Sequence, residues 1–556
     1  MSFSGVNRAQ SIQSLSAASP EVLIIGGGAV GCAIAARASE LGLRCAVLER
    51  QDLASGSSGN STGLAHAGLR YLAQGRVLYV FHESRERQRL EELAPQWVRP
   101  FDFLLPVYQD DPFSFSMVRL GTWLYDLLGR LNAWFTHRVP ARSPRAVPVE
   151  ELLGRVPGLD RRGLQGGMEY FVDAQLQDSR FTLGLAQKAA RTGAHVITYA
   201  EVRMILPYAK GGYQVRYMDT LSGQMRECTA PLIINASGAW IDRVRGLVGL
   251  THPIVRASRG IHLIVDRIID SPLIFSTEIK GKVFFVLPLG NEASLVGTTD
   301  TATEGSPEAS LPQPQEIREL IQRLFRFFPY LKHGENLAQA VDSYKQVHVR
   351  SVTWGDRPLL RQSGTTLHAS RDSEVVDDLA SFWSIPGVKL TAARAVGDEL
   401  TRRAWKTLRK SPPPDIPESI LPGGEFSDYA SFVTEAQRRF RLGDGSDQIV
   451  AHLVAAYGTR YKEIVAWAQE KPHYGERVLP DEPWILAEAA HAAQEEMVLT
   501  LNDFLWRRTK WAHLREIPDL ALHKIAGVLA DVLSWGPEEV EAQMAAYREE
   551  RKKHRV

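Results

Sequence analysis

Two clusters of residues in this chain have the make-up of a reaction centre. The first is Ser55 to Tyr71, S-G-S-S-G-N-S-T-G-L-A-H-A-G-L-R-Y. It is crowded with small and hydroxyl-bearing residues, Ser57, Ser58 and Ser61 among them, and ends in His66, Arg70 and Tyr71. Such a segment can wrap a bound group at close range, and an imidazole can exchange a proton near neutral pH. The second comes late in the chain. It comprises Arg357, Arg371 and the run Gly387–Val388–Lys389–Leu390–Thr391, which leads into a helical pattern. Taken singly, a histidine is more often structural, and a basic residue is more often surface. Taken together with Arg70, these cations could hold a phosphate or a carboxylate, because the planar arginine fork binds oxyanions bidentately.

Something must place these clusters around a common ligand. Val22–Ile25 is a short apolar run that reads as a buried strand. Gly26, Gly28 and Gly31 then give G-x-G-x-x-G at the start of a helical pattern. Glu49 ends a second apolar run about 20 residues on, the spacing of a carboxylate that meets ribose hydroxyls. The first glycine permits a tight turn, the second lets backbone approach a pyrophosphate, and the third lets helix and strand pack closely. Glycine-rich turns are common, but one that follows a strand and opens a helix is the context that marks a dinucleotide site. The motif does not separate FAD from NAD. Its place near the start of a long chain leans towards FAD.

The chain has 556 residues, room for two or three domains. Its formal net charge is +1, so nothing global points to nucleic acid. The three cysteines, Cys32, Cys45 and Cys228, form no C-x-x-C, so no metal or iron–sulfur site is expected. Their number suits a reducing, cytoplasmic compartment. No apolar stretch has the length of a bilayer span. Residues 1–19 read as a flexible, serine-rich arm. Residues 20–410 mix strands and helices, with a hairpin over Gly212 to Thr229 and strands at Ile261–Val265, Val283–Leu287 and Ser294–Gly297. These predict an antiparallel substrate domain, roughly 75–165 and 255–350, set into an α/β nucleotide-binding domain. A Pro/Gly linker over 411–425 cannot continue a helix. Residues 426–556 are helical, and the basic C-terminal end reads as frayed and exposed.

In order, these segments resemble the FAD-dependent glycerol-3-phosphate dehydrogenases. The resemblance is carried by G-G-G-A-V-G, H-A-G-L-R-Y-L, R-P-F-D-F-L-L-P, Q-D-S-R, N-A-S-G-A-W, F-V-L-P with G-T-T-D, R-P-L, S-R-D and K-L-T. In the helical part it is carried by L-P-G-G, Y-G-T-R and D-F-L-W-R-R-T-K. It implies a glutathione-reductase-type, Rossmann-like FAD domain, an antiparallel-sheet substrate domain and a C-terminal α-helical domain. It also implies oxidation of sn-glycerol 3-phosphate to dihydroxyacetone phosphate, with hydride passing from C2 to flavin N5 and on to a quinone. Gly26, Gly28, Gly31 and Glu49 then belong to the adenosine half of FAD. Ser57, Ser58, Ser61, Gly387, Leu390 and Thr391 meet the cofactor further along. His66 is the proton acceptor, with His262 next in line. Arg70, Tyr71, Arg357, Arg371 and Lys389 contact the substrate.

The departures from the family pattern are Gly63, Ala67, Ile261, Ala392 and Ala393, expected near cofactor and substrate. They leave room for another small hydroxy or amino acid as substrate, and a flavin-binding protein without activity is the third reading. Quinone access implies peripheral contact with the inner face of the cytoplasmic membrane, for which Met117 to Trp134 is the candidate helix. A homodimer is compatible with the sequence.

Overall fold

The computed structural model describes residues 3–66, 68–72, 75–135, 142–277, 282–361, 375–411, 414–443 and 445–555. Apolar runs without alternation make strands buried on both faces. Val22–Ile25, Cys45–Leu48 and Leu232–Asn235 are such runs, and every residue in them is buried. They lie side by side in a six-stranded sheet. Its order is Val376–Leu379, Phe382–Ser384, Leu232–Asn235, Val22–Ile25, Cys45–Leu48, His195–Ile197, and all neighbours but the first pair are parallel. Helix Ala29–Glu40 packs against helices Asp178–Arg191 and Ala393–Thr407. The turn into it needs its glycines. Gly26 has φ +115°, and a Cβ on Gly31 would stand 1.9 Å from the carbonyl oxygen of Gly26.

A second sheet of nine strands is mainly antiparallel and carries the expected strands at 261–265, 283–287 and 294–297. Its longest pairing joins Val255–Asp266 to Val349–Leu360, with Ser258 opposite Arg357, Gly260 opposite Gly355 and His262 opposite Thr353. Successive side chains on a strand point to opposite faces. Ile261, Leu263, Val265 and Val352 therefore turn into an apolar core shared with helices Pro314–Phe327 and Leu337–His348. Gly260, His262, Gly355 and Arg357 turn the other way, towards the nucleotide-binding sheet. The hairpin predicted over 212–229 is present, Tyr213–Asp219 with Gln224–Ala230, in a separate three-stranded sheet.

Residues beyond Leu421 form helices around their own core and dock on the nucleotide-binding part. Gly423 and Gly458 meet backbone to backbone: a Cβ on Gly458 would lie 1.8 Å from the carbonyl oxygen of Gly423. That contact is the physical content of L-P-G-G and Y-G-T-R. Charge does the rest. Asp52, with no exposed surface, accepts two hydrogen bonds from Arg508 at 2.7 Å each and one from Arg507 at 2.5 Å. Burial pushes the Asp52 carboxyl up, but Arg508 and Arg507 outweigh it and hold it below the usual carboxylate range.

Two expectations fail. The first nineteen residues are no loose arm: Arg8–Ala17 is a helix that buries Ile12 and Leu15. Its Arg8 donates to Asp219 at 2.7 Å and to the carbonyl of Thr198. Serine-rich composition hid this, because two apolar residues and one ion pair suffice to dock so short a helix. The basic C-terminal end is not frayed either. Helix Pro537–His554 runs to a buried His554, whose Nδ1 lies 2.7 Å from the carbonyl of Val352 and whose ring stacks on Trp506.

Removing Arg508 takes two of the three charge-assisted hydrogen bonds away from the buried Asp52. Arg508→Ala is expected to destabilise the protein by about 3–5 kcal/mol, read as a lower midpoint of thermal unfolding. Because the Asp52 pKa is depressed on folding, the pair contributes at neutral pH. Its contribution is lost as pH falls below the ordinary carboxylate range, so the gap between wild type and variant should narrow in acid.

Candidate functional site

The glycine-rich turn, the hydroxyl-rich segment and the late basic cluster meet around two adjoining cavities. The smaller, about 150 Å³, is lined by Gly26, Gly28, Glu49, Arg50 and Trp240, with Arg50 lying over the Trp240 ring at 4.2 Å. The larger, about 1010 Å³, is lined by Ser57, Ser58, Ser61, His66, Tyr71, His262, Arg357 and Gly387 to Thr391. Ala29, Ser57, Ser58, Gly387 and Val388 border both, so the two form one continuous trough.

The turn at its narrow end is built for an anion. Gly28 caps helix Ala29–Glu40, whose first N–H groups face the trough. Ser58 Oγ accepts from the Ala29 N–H at 3.0 Å, and a Cβ on Gly28 would stand 3.0 Å from that same oxygen. Glu49 is buried and accepts from the Gly27 N–H at 2.6 Å and the Gln51 N–H at 2.9 Å. Burial raises its pKa; the N–H groups of Gln51 and Gly27 oppose the rise. Each carboxylate oxygen keeps a lone pair for a further donor.

The hydroxyl-rich segment is fastened residue by residue. Ser57 Oγ donates to the carbonyl of Asp356, and a Cβ on Gly355 would stand 3.2 Å from the Ser57 Cα, so glycine lets the segment approach the strand. Thr353 Oγ1 donates to Asn60 at 3.2 Å. The N–H and Oγ of Ser61 both donate to Asp178 Oδ2, at 2.9 and 2.8 Å. Thr62 Oγ1 lies 3.0 Å from His262 Nε2. Gly63, at φ +69°, accepts from the Leu176 N–H. Leu64 and Ala65 pair with Gln175 and Ala174. His66 follows directly and lies on the cavity wall.

His262 is fully buried, and its pKa falls to about 3 through burial first and the nearby Arg357 second. It stays neutral and is a weak proton acceptor. Its buried Nδ1 has no hydrogen-bond partner among the described residues.

The basic side chains converge from separate elements. Arg357 donates to the Thr299 carbonyl at 3.2 Å and to Thr298 Oγ1 at 3.0 Å. Its guanidinium lies over Gly260, where a Cβ would stand 2.1 Å from Nη2. Lys389 Nζ lies 4.5 Å from the Tyr71 ring centre, 4.4 Å from that of Tyr79 and 3.5 Å from Glu83, which also accepts from Thr391. Arg371 and the side chain of Arg70 lie outside the described residues. Arg76, Lys282 and Arg323 also line the large cavity. The described lining thus holds five cationic residues against two acids, Asp173 and Asp300. Sequence reasoning missed these three, because isolated basic residues on different elements leave no local pattern. Among the described residues, no group of side chains is arranged to hold a metal ion.

Two of the departures are not at the site at all. Ile261 is fully buried in the core behind the sheet, and Ala393 packs in the core of the nucleotide-binding part. Alternation explains Ile261: its neighbours Gly260 and His262 take the cavity face. Ala67 lies outside the described residues.

A parallel sheet with a glycine-turned helix N-terminus, a buried strand-end acid and a second sheet roofing a cationic trough define a dinucleotide-type oxidoreductase. The chain belongs to the FAD dependent oxidoreductase family, whose model matches residues 21–403; residues 418–540 match the C-terminal domain of alpha-glycerophosphate oxidase. The aerobic glycerol-3-phosphate dehydrogenase of Staphylococcus aureus strain USA300 is 29% identical over 547 residues, covering 95% of this chain and 93% of that protein. The structure of the glycerol-3-phosphate dehydrogenase from Bacillus halodurans, complexed with FAD, superposes with a TM-score of 0.77 at 25% identity, covering 100% of this chain and 99% of the other. The FAD-bound L-alpha-glycerophosphate oxidase of Mycoplasma pneumoniae shares the fold, with a TM-score of 0.54 at 20% identity over 74% of this chain and 98% of the other. FAD is the cofactor of this chain.

Gly260→Ala tests the anion end. The methyl group must displace the Arg357 guanidinium, costing a charge-assisted hydrogen bond. Inorganic phosphate is expected to bind about 10–100-fold more weakly, followed by its perturbation of the flavin absorption spectrum, with FAD content unchanged.

Proposed function

We propose that this chain oxidises sn-glycerol 3-phosphate to dihydroxyacetone phosphate and delivers the electrons to a quinone at a membrane surface. The observation that carries the reading is the junction of His66, Arg357 and Lys389 in one net-cationic cavity continuous with the glycine turn. The names of the S. aureus and B. halodurans relatives support the substrate.

FAD fits the trough. Gly28 and Ser58 leave a cradle at the helix N-terminus for its pyrophosphate, with Gly26 and Gly31 shaping the turn. Glu49 offers its spare lone pairs to the ribose. Ser57, Ser58, Ser61, Gly387, Leu390 and Thr391 border the rest. The chemistry FAD supplies when bound is acceptance of hydride from C2. The chain does the remainder. Arg357 and Lys389, with Arg70, Tyr71 and Arg371 in the same role, hold the phosphate and fix C2 in place. His66 takes the hydroxyl proton as C2 is oxidised. His262 holds Thr62, and so the segment that carries His66.

Among the described residues no helix is long and apolar enough to cross a membrane. Helix Phe115–Phe135 supports surface contact instead. Met117, Leu120, Trp123, Leu127, Leu131 and Trp134 recur at three- and four-residue spacing and are exposed, Trp134 by 71%. Leu78 beside it is 77% exposed. Such a stripe is larger than scattered surface apolar residues require. Its inner residues Val118, Gly121 and Leu124, with Pro112 and Phe113, line the large cavity, giving an apolar quinone a short route inward.

His66→Ala is expected to lower kcat by roughly 10²–10⁴-fold, the range for a lost general base, with FAD retained. A rate within a few-fold of wild type, with flavin reduction limiting, places the base elsewhere. The double variant Trp123→Glu, Trp134→Glu should lose co-sedimentation with lipid vesicles while anaerobic flavin bleaching by glycerol 3-phosphate proceeds at the wild-type rate.

A further inference from the structure

Each residue from Asn60 to Ala65 is anchored, and the anchor of Ser61 differs from the rest. It is Asp178, in the first turn of helix Asp178–Arg191, whose side chain is 2% exposed. Oδ2 takes both donors of Ser61, while Oδ1 accepts from the Ser179 N–H at 2.7 Å. A cation stabilises a buried carboxylate, and the one beside Asp178 comes from the far end of the chain. Lys510 Nζ donates to Asp178 Oδ1 at 2.6 Å and to the Gly59 carbonyl at 2.9 Å, so it grips the segment itself as well as its anchor. Lys510 can do so because of where it stands. The π-helical turn Asp503–Arg508 ends just before it, and its own backbone is left-handed at φ +58°, turning the side chain out of the helical part. The conformation is unfavourable for a residue with a Cβ.

From this we infer that Lys510 is a positioning residue for the flavin site: acting through Asp178 and Ser61, the C-terminal helical part sets the course of the segment that lines the cofactor trough and delivers His66. The inference rests on the assignment of that segment to FAD made above. It gives the helical part a share in the redox centre, beyond packing against it. The neighbouring pair Arg508–Asp52 fixes the same two parts but does not touch the segment from Ser57 onward.

The test measures FAD binding to apoprotein by fluorescence titration, with the visible circular dichroism of the bound flavin as a signature of its setting. Lys510→Met should weaken FAD binding by about 10–100-fold, the cost of a charge-assisted hydrogen bond to a buried group, and alter the flavin dichroism. Lys510→Arg, which keeps the charge and reach, should restore both to within a few-fold. Arg515→Ala breaks the contacts of the helical part with Glu292 and leaves the segment alone, so it should bind FAD as wild type does. Ser61→Ala should weaken FAD binding as well, and in Lys510→Met, Ser61→Ala the losses should not multiply, because both act along one path. Wild-type FAD affinity in Lys510→Met, no rescue by arginine, an equal loss in Arg515→Ala, or multiplying losses each overturn the inference. Should Lys510→Met not fold, Lys510→Gln and the Ser61 arm carry the same comparison. If Ser61→Ala leaves FAD affinity unchanged, the assignment of the segment to FAD has failed, which is a separate outcome from the failure of Lys510 alone.

Discussion

Asp52 and Asp178 belong to the nucleotide-binding part and are buried, yet their counter-ions, Arg508 and Lys510, belong to the helical part. A carboxylate cannot be dry and uncompensated at neutral pH at modest cost. The two parts are therefore obliged to one another by charge. Asp52 lies between the strand-end acid Glu49 and the loop that starts at Ser55; Asp178 holds Ser61. The serine-rich segment is thus tied through Asp178 to a residue more than three hundred positions away, and the stretch just before it is tied through Asp52 to another.

The site itself follows from the pairing of Val255–Asp266 with Val349–Leu360. One face of that ladder is a packed core and the other is the roof of the trough, so a single register decides which residues are chemistry and which are filling. Gly260 is small because Arg357 must lie across it; Gly355 is small because the serine-rich segment must pass beneath it. His262, neutral and buried, holds Thr62, while His66 borders the open cavity.

Much of this was legible in the residues. The glycine turn with Glu49, the serine-rich segment, the antiparallel strands and the helical C-terminal part are all local patterns, and local patterns are what a chain displays directly. The convergence of Arg357 and Lys389 was readable only as composition plus resemblance. What stayed hidden was decided by distant partners. Arg8 looked like part of a loose arm because Asp219 is its partner; Arg76, Lys282 and Arg323 had no pattern because three elements bring them together. Ile261 and Ala393 seemed to be changes at the site because they stand next to site residues in sequence. Strand alternation places Ile261 at the opposite face, and Ala393 is packed in the core.

The same ion pairs impose an order in time. The partners Asp52 and Arg508 stand 456 positions apart. At synthesis rates of about 5–20 residues per second, on the order of half a minute to a minute and a half separates their emergence. Throughout that interval the nucleotide-binding part carries Asp52 without its counter-ions Arg507 and Arg508. Docking of the helical part is thereby deferred to the end of translation, when Arg508 reaches Asp52.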